Sequence, residues 1–363
     1  MVVNESAKPL VLTLLFGGIS AEHEISLRSA RAVRDQLDLK KYDLRLLGIT
    51  KDGGWLGAKD SARLLAGEEV PSCNHGPYLP QGTEVVFPLL HGPMGEDGTI
   101  QGWLELMNMP FVGSGCIGSA LAMDKSVAKH VLRSADIPVL SWCDVQRSDW
   151  KRDREQVLDT IESERSYPSF VKPTCLGSSV GISRVEDRTQ LHDALNLAFE
   201  FGTSALVEPA VNKMREFEIA VLDGEDPVVS LPGEIVMDGW YDYDSKYKTD
   251  EAKLVLEEDL LPPRLADGLR DIALQAFRVL RLSGLARVDF LMDKGTGRYV
   301  LNEVNTMPGF TSISMYPKLM EKTGIGFTEL CDRLIELALN GREVGSGQST
   351  APKVVEREMA AGQ

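Results

Sequence analysis

The stretch LARVDFLMDKGTGRYVLNEVNTMPG, residues 285–309, reads as two strands joined by a short turn. Side chains two apart on a strand share a face. Arg287 and Asp289 therefore point one way, as do Glu303 and Asn305, and pairing through DKGTGR gathers all four over one floor. Ala286, Val288, Phe290 and Met292 take the opposite, apolar face. Two carboxylates and an amide form an oxygen-only cluster that suits Mg²⁺, which keeps few protein ligands and leaves positions for phosphate oxygens. An arginine beside them would steady charge developing on a reacting group. The plainer alternative is the solvated face of a half-exposed strand.

Motifs on either side bear on that choice. Downstream, a Pro-Gly turn leads into TSIS, where the Gly309 N–H can serve an oxyanion and Ser312 or Ser314 a carboxylate at a helix N-terminus. Helix capping by Thr311 or Ser312 is the competing reading. Upstream, DGWYDYDSKYKTD, residues 238–250, is too long and aromatic for a simple connection and reads as a lid with Lys246 and Tyr247 turned inward. REFEIAVL places Glu216 and Glu218 on one face and Phe217 and Ile219 on the other, with an acidic edge strand as the alternative for Glu218. Glu208 ends the apolar strand of LVEPAV, where its carboxylate or the neighbouring backbone can read an adenine edge.

Lys172 ends the strand of SFVKP ahead of a turn containing Gly177, Ser178, Ser179 and Gly181, whose backbone amides can close over polyphosphate. Lys125 stands in AMDKSVAKH. Either lysine alone is by default a surface residue. FGGISAEHE sets two glycines after an apolar strand and opens a helix. That is either a tight turn with an acidic first helical turn or a ligand site with Glu22 at its rim, suited to an ammonium. Which of Glu22 and Glu24 points inward is open from spacing alone.

At 363 residues the chain is long for one core, and two or three domains are expected. The first third alternates strand and helix signals as an open α/β sheet of Rossmann-like character, and the middle reads as a compact α+β unit. A single helix is expected through CIGSALAMDKSVAKHVLRSADI and a strand over VVSLPGEIV. The divisions are 1–124, 125–222 and 223–342, with a frayed, polar tail over 343–363. Net charge of −15 argues against a nucleic-acid surface. No apolar run is long enough to cross a bilayer, and the opening MVVNESAKPL carries no signal-peptide features. Five scattered cysteines without CxxC spacing suit a reducing cytoplasm, and five histidines without an HxxxH pattern argue against zinc.

Taken in order, GGISAEHEIS, LHGPMGEDGTIQG, AMDK, FVKPTCLGSSVGIS, LVEPAV, REFEIAVL, YDYDSKY, ARVDF and NEVNTMPGFTSIS resemble the D-alanine D-alanine ligases of the ATP-grasp superfamily, from about Val11 to Leu339. The resemblance implies a three-domain ATP-grasp fold that clamps ATP between its middle and last parts. It also implies a cytoplasmic homodimer without nucleic-acid or membrane partners, acting on D-alanine and ATP with two Mg²⁺ ions or Mn²⁺. Position by position, Asp289, Glu303 and Asn305 match metal ligands, and Lys125, Lys172, Ser178, Glu208, Val211, Glu216, Lys246 and Asn302 match the nucleotide set. Glu22 and His91 match the first D-alanine's site. Ser178 and Tyr247 link the glycine turn, Glu22 and the lid; Arg287 and the Gly309 amide match the oxyanion donors, and Ser314 the second substrate's carboxylate. Tyrosine at 247 favours a dipeptide product over relatives that accept D-lactate or D-serine. A regulatory nucleotide binder of the same fold would be expected to lose the metal ligands, Arg287 or the lysines.

Overall fold

The structure, a computed structural model, describes residues 8–73, 75–177, 180–211, 214–236, 253–257 and 260–341. The expected lid over 238–250, the tail over 343–363, and Ser178, Lys246 and Tyr247 lie outside the described residues.

The first unit runs β1 (Leu10–Gly17), α1 (His23–Gln36), β2 (Tyr42–Ile49), α2 (Ala58–Ala66), β3 (Val85–Pro88) and α3 (Thr99–Leu106). Its three strands are parallel in the order β2-β1-β3. Central β1 is covered on both faces, which is why Leu10 to Phe16 is apolar apart from the buried Thr13. At its end Gly17 has φ +93°, and a Cβ there would lie 2.1 Å from the Ile49 carbonyl oxygen. Only glycine turns the chain there. The buried Ser26 hydroxyl accepts the Gly17 N–H at 2.7 Å and donates to the Leu89 carbonyl, fixing the start of α1 against the sheet.

Two helices, α4 (Cys116–Met123) and α5 (Lys125–Ser134), replace the single helix expected over 116–137. Asp124 between them is extended, at φ −81° and ψ 104°, and its carboxylate accepts the Ser126 and Val127 N–H groups, each at 3.0 Å. The hydrophobic period continues through this point, but the cap breaks the helix and places Lys125 at the first turn of a new one. Asp124→Ala is expected to cost about 1 kcal/mol of stability. Equilibrium urea unfolding checks this, and an unchanged midpoint would count against the cap.

The middle unit comprises β4 (Cys143–Gln146), α6 (Arg147–Arg152), α7 (Arg154–Glu164), β5 (Ser169–Pro173), β6 (Ser183–Val185), α8 (Arg188–Phe201) and β7 (Ser204–Pro209). Its antiparallel sheet has the order β4-β7-β5-β6. Leu158, Ile161, Leu191 and Leu195 of the helices pack on Val171 and Val207.

The last part carries β8 (Met214–Leu222), β9 (Val228–Val229), β10 (Gly233–Val236), β11 (Lys253–Val255), α9 (Pro263–Val279), β12 (Leu285–Asp293), β13 (Tyr299–Asn305), α10 (Met315–Lys322) and α11 (Phe327–Asn340). The sheet order is β11-β10-β8-β12-β13, with β9 pairing β8. Three features differ from the sequence reading. VVSLPGEIV is two short strands, because Pro232 has no N–H to continue a ladder. Strand β8 pairs with β12 along its whole length, so a division at residue 222 separates strands of one sheet, and Glu218 is in the interior of that sheet instead of at an edge. Finally, α10 and α11 return to the first unit: Leu330, Leu334 and Ile335 pack with Leu12, Leu14 and Phe87, and Tyr42 donates to Asp332 at 2.7 Å.

Candidate active site

Strands β12 and β13 pair with Arg287 opposite Asn305 and Asp289 opposite Glu303, and the register shifts only after Asp289. All four polar groups therefore rise from one face. Beneath them Val288, Phe290 and Met292 join Leu269, Ala273 and Phe277 of α9 in a buried core. The Arg287 guanidinium donates Nε to Asp289 Oδ1 at 2.8 Å and Nη2 to Oδ2 at 2.7 Å, and its Nε also lies 3.0 Å from Glu218 Oε2. Asn305 Nδ2 donates to Asp289 Oδ2 at 3.0 Å. Among the described residues, no grouping of three or more His, Cys, Asp or Glu side chains forms a metal cage. Two carboxylates and an amide oxygen are nevertheless a donor set that fits Mg²⁺, an ion that completes its shell with water and phosphate.

Beside this face lies a cleft between the middle sheet and the last one. It brings together Lys125, Lys172, Glu208, Val211, Glu216, Asn302 and Glu303, all expected to meet the nucleotide except Glu303, expected at the metal. Leu140, Phe170, Ile182 and Leu291 supply apolar wall between the charges. That combination suits a flat base with an anionic tail.

The charges form a connected set. Lys172 Nζ lies 2.6 Å from Glu208 Oε2 and 3.4 Å from Asn302 Oδ1. Lys125 Nζ lies 3.2 Å from Glu303 Oε2 and donates to the Leu176 carbonyl at 2.7 Å, next to the glycine turn. Sequence reasoning passes over Lys129, whose Nζ is 2.5 Å from Glu208 Oε1. Burial alone would raise the Glu208 carboxyl, but Lys172 and Lys129 outweigh it and hold it below the ordinary glutamate value. Burial also works against the Lys172 ammonium, which Glu208, Glu303 and Glu216 nonetheless carry above its usual range. At Lys129 burial prevails: Glu208 opposes it, but Lys172 and Lys125 repel, and the ammonium is held below the lysine range.

Glu22 is buried immediately before α1, whereas Glu24 is exposed and paired with Lys51 at 2.7 Å, so Glu22 is the inward member of the pair. Its carboxylate faces Gly177 at the start of the glycine turn. His91 is buried, with Nδ1 donating to the Met307 carbonyl at 3.0 Å and lying 3.4 Å from Glu96 Oε1. Its Nε2 meets the Ser29 hydroxyl at 2.9 Å, and that hydroxyl also accepts the Phe310 N–H at 3.2 Å. Burial lowers the His91 imidazole, but Glu96 and Glu22 reverse the balance and raise it. His91 thus ties the 307–310 segment, which contains Gly309, to the first unit. Ser314 occupies the N-cap position of α10, yet its hydroxyl turns back to Thr311, at 3.1 Å from N and 2.7 Å from Oγ1. Neither Thr311 nor Ser312 caps that helix.

Residues 11–114 match the D-ala D-ala ligase N-terminus family, and residues 131–336 match the D-ala D-ala ligase C-terminus family. The chain belongs to the D-alanine–D-alanine ligase family. Within it, the D-alanine--D-alanine ligase of Deinococcus radiodurans is 45% identical over 337 residues, covering 91% of this chain and 99% of that one. That of Heliobacterium modesticaldum is 42% identical over 346 residues, covering 90% and 94%. The D-alanine-D-alanine ligase of Coxiella burnetii superposes with a TM-score of 0.79 at 35% identity, over 93% of this chain and 96% of the other. A D-Ala:D-Ser ligase from Enterococcus faecalis gives 0.79 at 34% identity, over 91% and 100%.

Proposed function

We propose that the protein joins two D-alanine molecules to D-alanyl-D-alanine with ATP as the phosphoryl donor, releasing ADP and phosphate, in the synthesis of peptidoglycan precursors. The observation that carries this reading is a cleft in which a lysine-lined nucleotide pocket abuts the Arg287, Asp289, Glu303 and Asn305 face. A carboxylate oxygen of the first D-alanine attacks the γ-phosphorus, and the bond to ADP breaks. The amine of the second D-alanine then attacks the acyl carbon; the tetrahedral intermediate collapses, expelling phosphate as the amine gives up its proton.

Such chemistry needs positioning and charge neutralisation more than a protein nucleophile. Lys125 and Lys172 orient the polyphosphate, and Glu208, Val211 and Glu216 hold the nucleoside. Glu22 takes the first ammonium, and His91 keeps the 307–310 segment in place behind it. Arg287 and the Gly309 N–H face the oxyanion. Asp289, Glu303 and Asn305 would hold Mg²⁺ or Mn²⁺, which when bound offsets phosphate charge. A cytoplasmic homodimer completes the reading. Among the described residues no helix is long and apolar enough to cross a membrane.

The test is phosphate release from ATP with D-alanine alone, then with D-lactate or D-serine added, and with L-alanine as control, the products being identified by mass. Dipeptide with stoichiometric phosphate is expected from D-alanine alone. ATP binding without phosphate release with any of these would instead favour a regulatory nucleotide binder.

Gly92→Ala probes the first substrate's site. Gly92 has φ +74°, and a Cβ there would lie 2.4 Å from Glu22 Oε2. The methyl group must displace the carboxylate, so KM for D-alanine is expected to rise by about tenfold, with KM for ATP little changed, since a misplaced binding group costs on the order of 1 to 3 kcal/mol. Steady-state kinetics in both substrates check it.

A further inference from the structure

Lys129 is a buried charge for which the reaction above has no task. It follows Lys125 by one turn of α5, so both ammonium groups leave the same face of the helix. Lys125 lines the cleft. Lys129 lies behind its wall, with its side chain 3% exposed, its Nζ 2.5 Å from Glu208 Oε1 and 5.7 Å from the centre of the Trp142 ring. The other Glu208 oxygen meets Lys172 at 2.6 Å. Two buried ammonium groups thus share one carboxylate that is itself 1% exposed.

The two lysines are not equivalent. Lys172 faces the cleft and also reaches Asn302 Oδ1 across it, whereas Lys129 faces Trp142 and the interior. A phosphate entering the cleft competes with Glu208 for Lys172. A buried carboxylate deprived of its only cation is strongly destabilised, so a single lysine could not serve the nucleotide without leaving Glu208 uncompensated. A second, fixed lysine removes that conflict.

We infer that Lys129 is a positioning residue for nucleotide binding: it holds the Glu208 carboxylate in place and so lets Lys172 exchange Glu208 for the phosphates of ATP. This rests on the ATP-dependent reading above. Lys129 acts through Glu208 and touches no substrate.

The test uses the full chain and two readouts: calorimetric binding of ATP without D-alanine, and KM for each substrate. Lys129→Met is expected to weaken ATP binding and raise KM for ATP by about tenfold, a common size for coupling between contacting charges, and to leave KM for D-alanine within about twofold. Lys129→Arg, which keeps the charge, is expected to stay within about threefold of the parent for ATP. In a Glu208→Gln background, Lys129→Met should add no further loss. A folded Lys129→Met protein with unchanged ATP affinity would overturn the inference, as would losses that add in the double variant. So would Lys129→Arg weakening ATP binding by about tenfold relative to the parent, a result that can be read even if Lys129→Met does not fold. Parent protein that binds ATP but forms no dipeptide would refute the ligase reading and leave the binding comparison intact.

Discussion

Arg287→Ala is expected to lower turnover by about two to three orders of magnitude, the loss typical of removing one oxyanion donor. Arg287 lies outside the lining of the nucleotide cleft, so ATP should still bind. The same change withdraws the cation lying between Glu218 and Asp289, at 3.0 Å and 2.7 Å. Glu218 is only 8% exposed, and a buried carboxylate left by its partner is costly, by about 3 to 5 kcal/mol when no other group compensates. Asn305 still donates to Asp289, so that carboxylate keeps one of its partners. Turnover measured well below the melting transition separates the two effects. Turnover within about threefold of the parent would remove Arg287 from the chemistry. Arg287→Lys should recover stability better than rate, because an ammonium lacks the fork that meets both Asp289 oxygens.

Glu208→Gln is expected to destabilise the fold by about 3 to 5 kcal/mol, because Lys129 and Lys172 would then face each other with no carboxylate between them. Urea unfolding across pH gives the sign. The folded carboxyl lies below its ordinary value of 4.5, so its contribution is fully present above that value and is lost as pH falls through the folded one. The parent's advantage over Glu208→Gln should therefore be steady near neutrality and shrink in acid below 4.5. On the alkaline side the variant should gain stability, since a buried lysine held below its usual range releases its proton in the folded state first. A difference independent of pH would show that Glu208 acts by shape alone.

The face carrying Arg287, Asp289, Glu303 and Asn305 is legible in sequence because strand period is fixed and only a short turn separates the two runs. Lys172 and Glu208 are legible for a related reason, each being a charge at the end of an apolar strand. Lys129 is not, because one lysine among several on a helix reads as solvated until its carboxylate partner on another element is known. Its spacing of four from Lys125 is the signal that was available. Glu218 depends on sheet order: the same alternation describes an edge strand and the interior strand it occupies. The break at Asp124 is concealed by continuous hydrophobic periodicity, although an aspartate before a new helical turn is a recognisable cap. The split of VVSLPGEIV is announced by its proline.

The return of α11 to the first sheet bears on how the chain is made. Leu12, Leu14 and Phe87 emerge from the ribosome long before Leu330, Leu334 and Ile335, which cover them. At roughly 5 to 20 residues per second, the apolar face of β1 and β3 waits on the order of 10 to 50 seconds for its cover. The first unit therefore cannot reach its final packing as it is synthesised, and a nascent chain halted before α11 presents that face to chaperones.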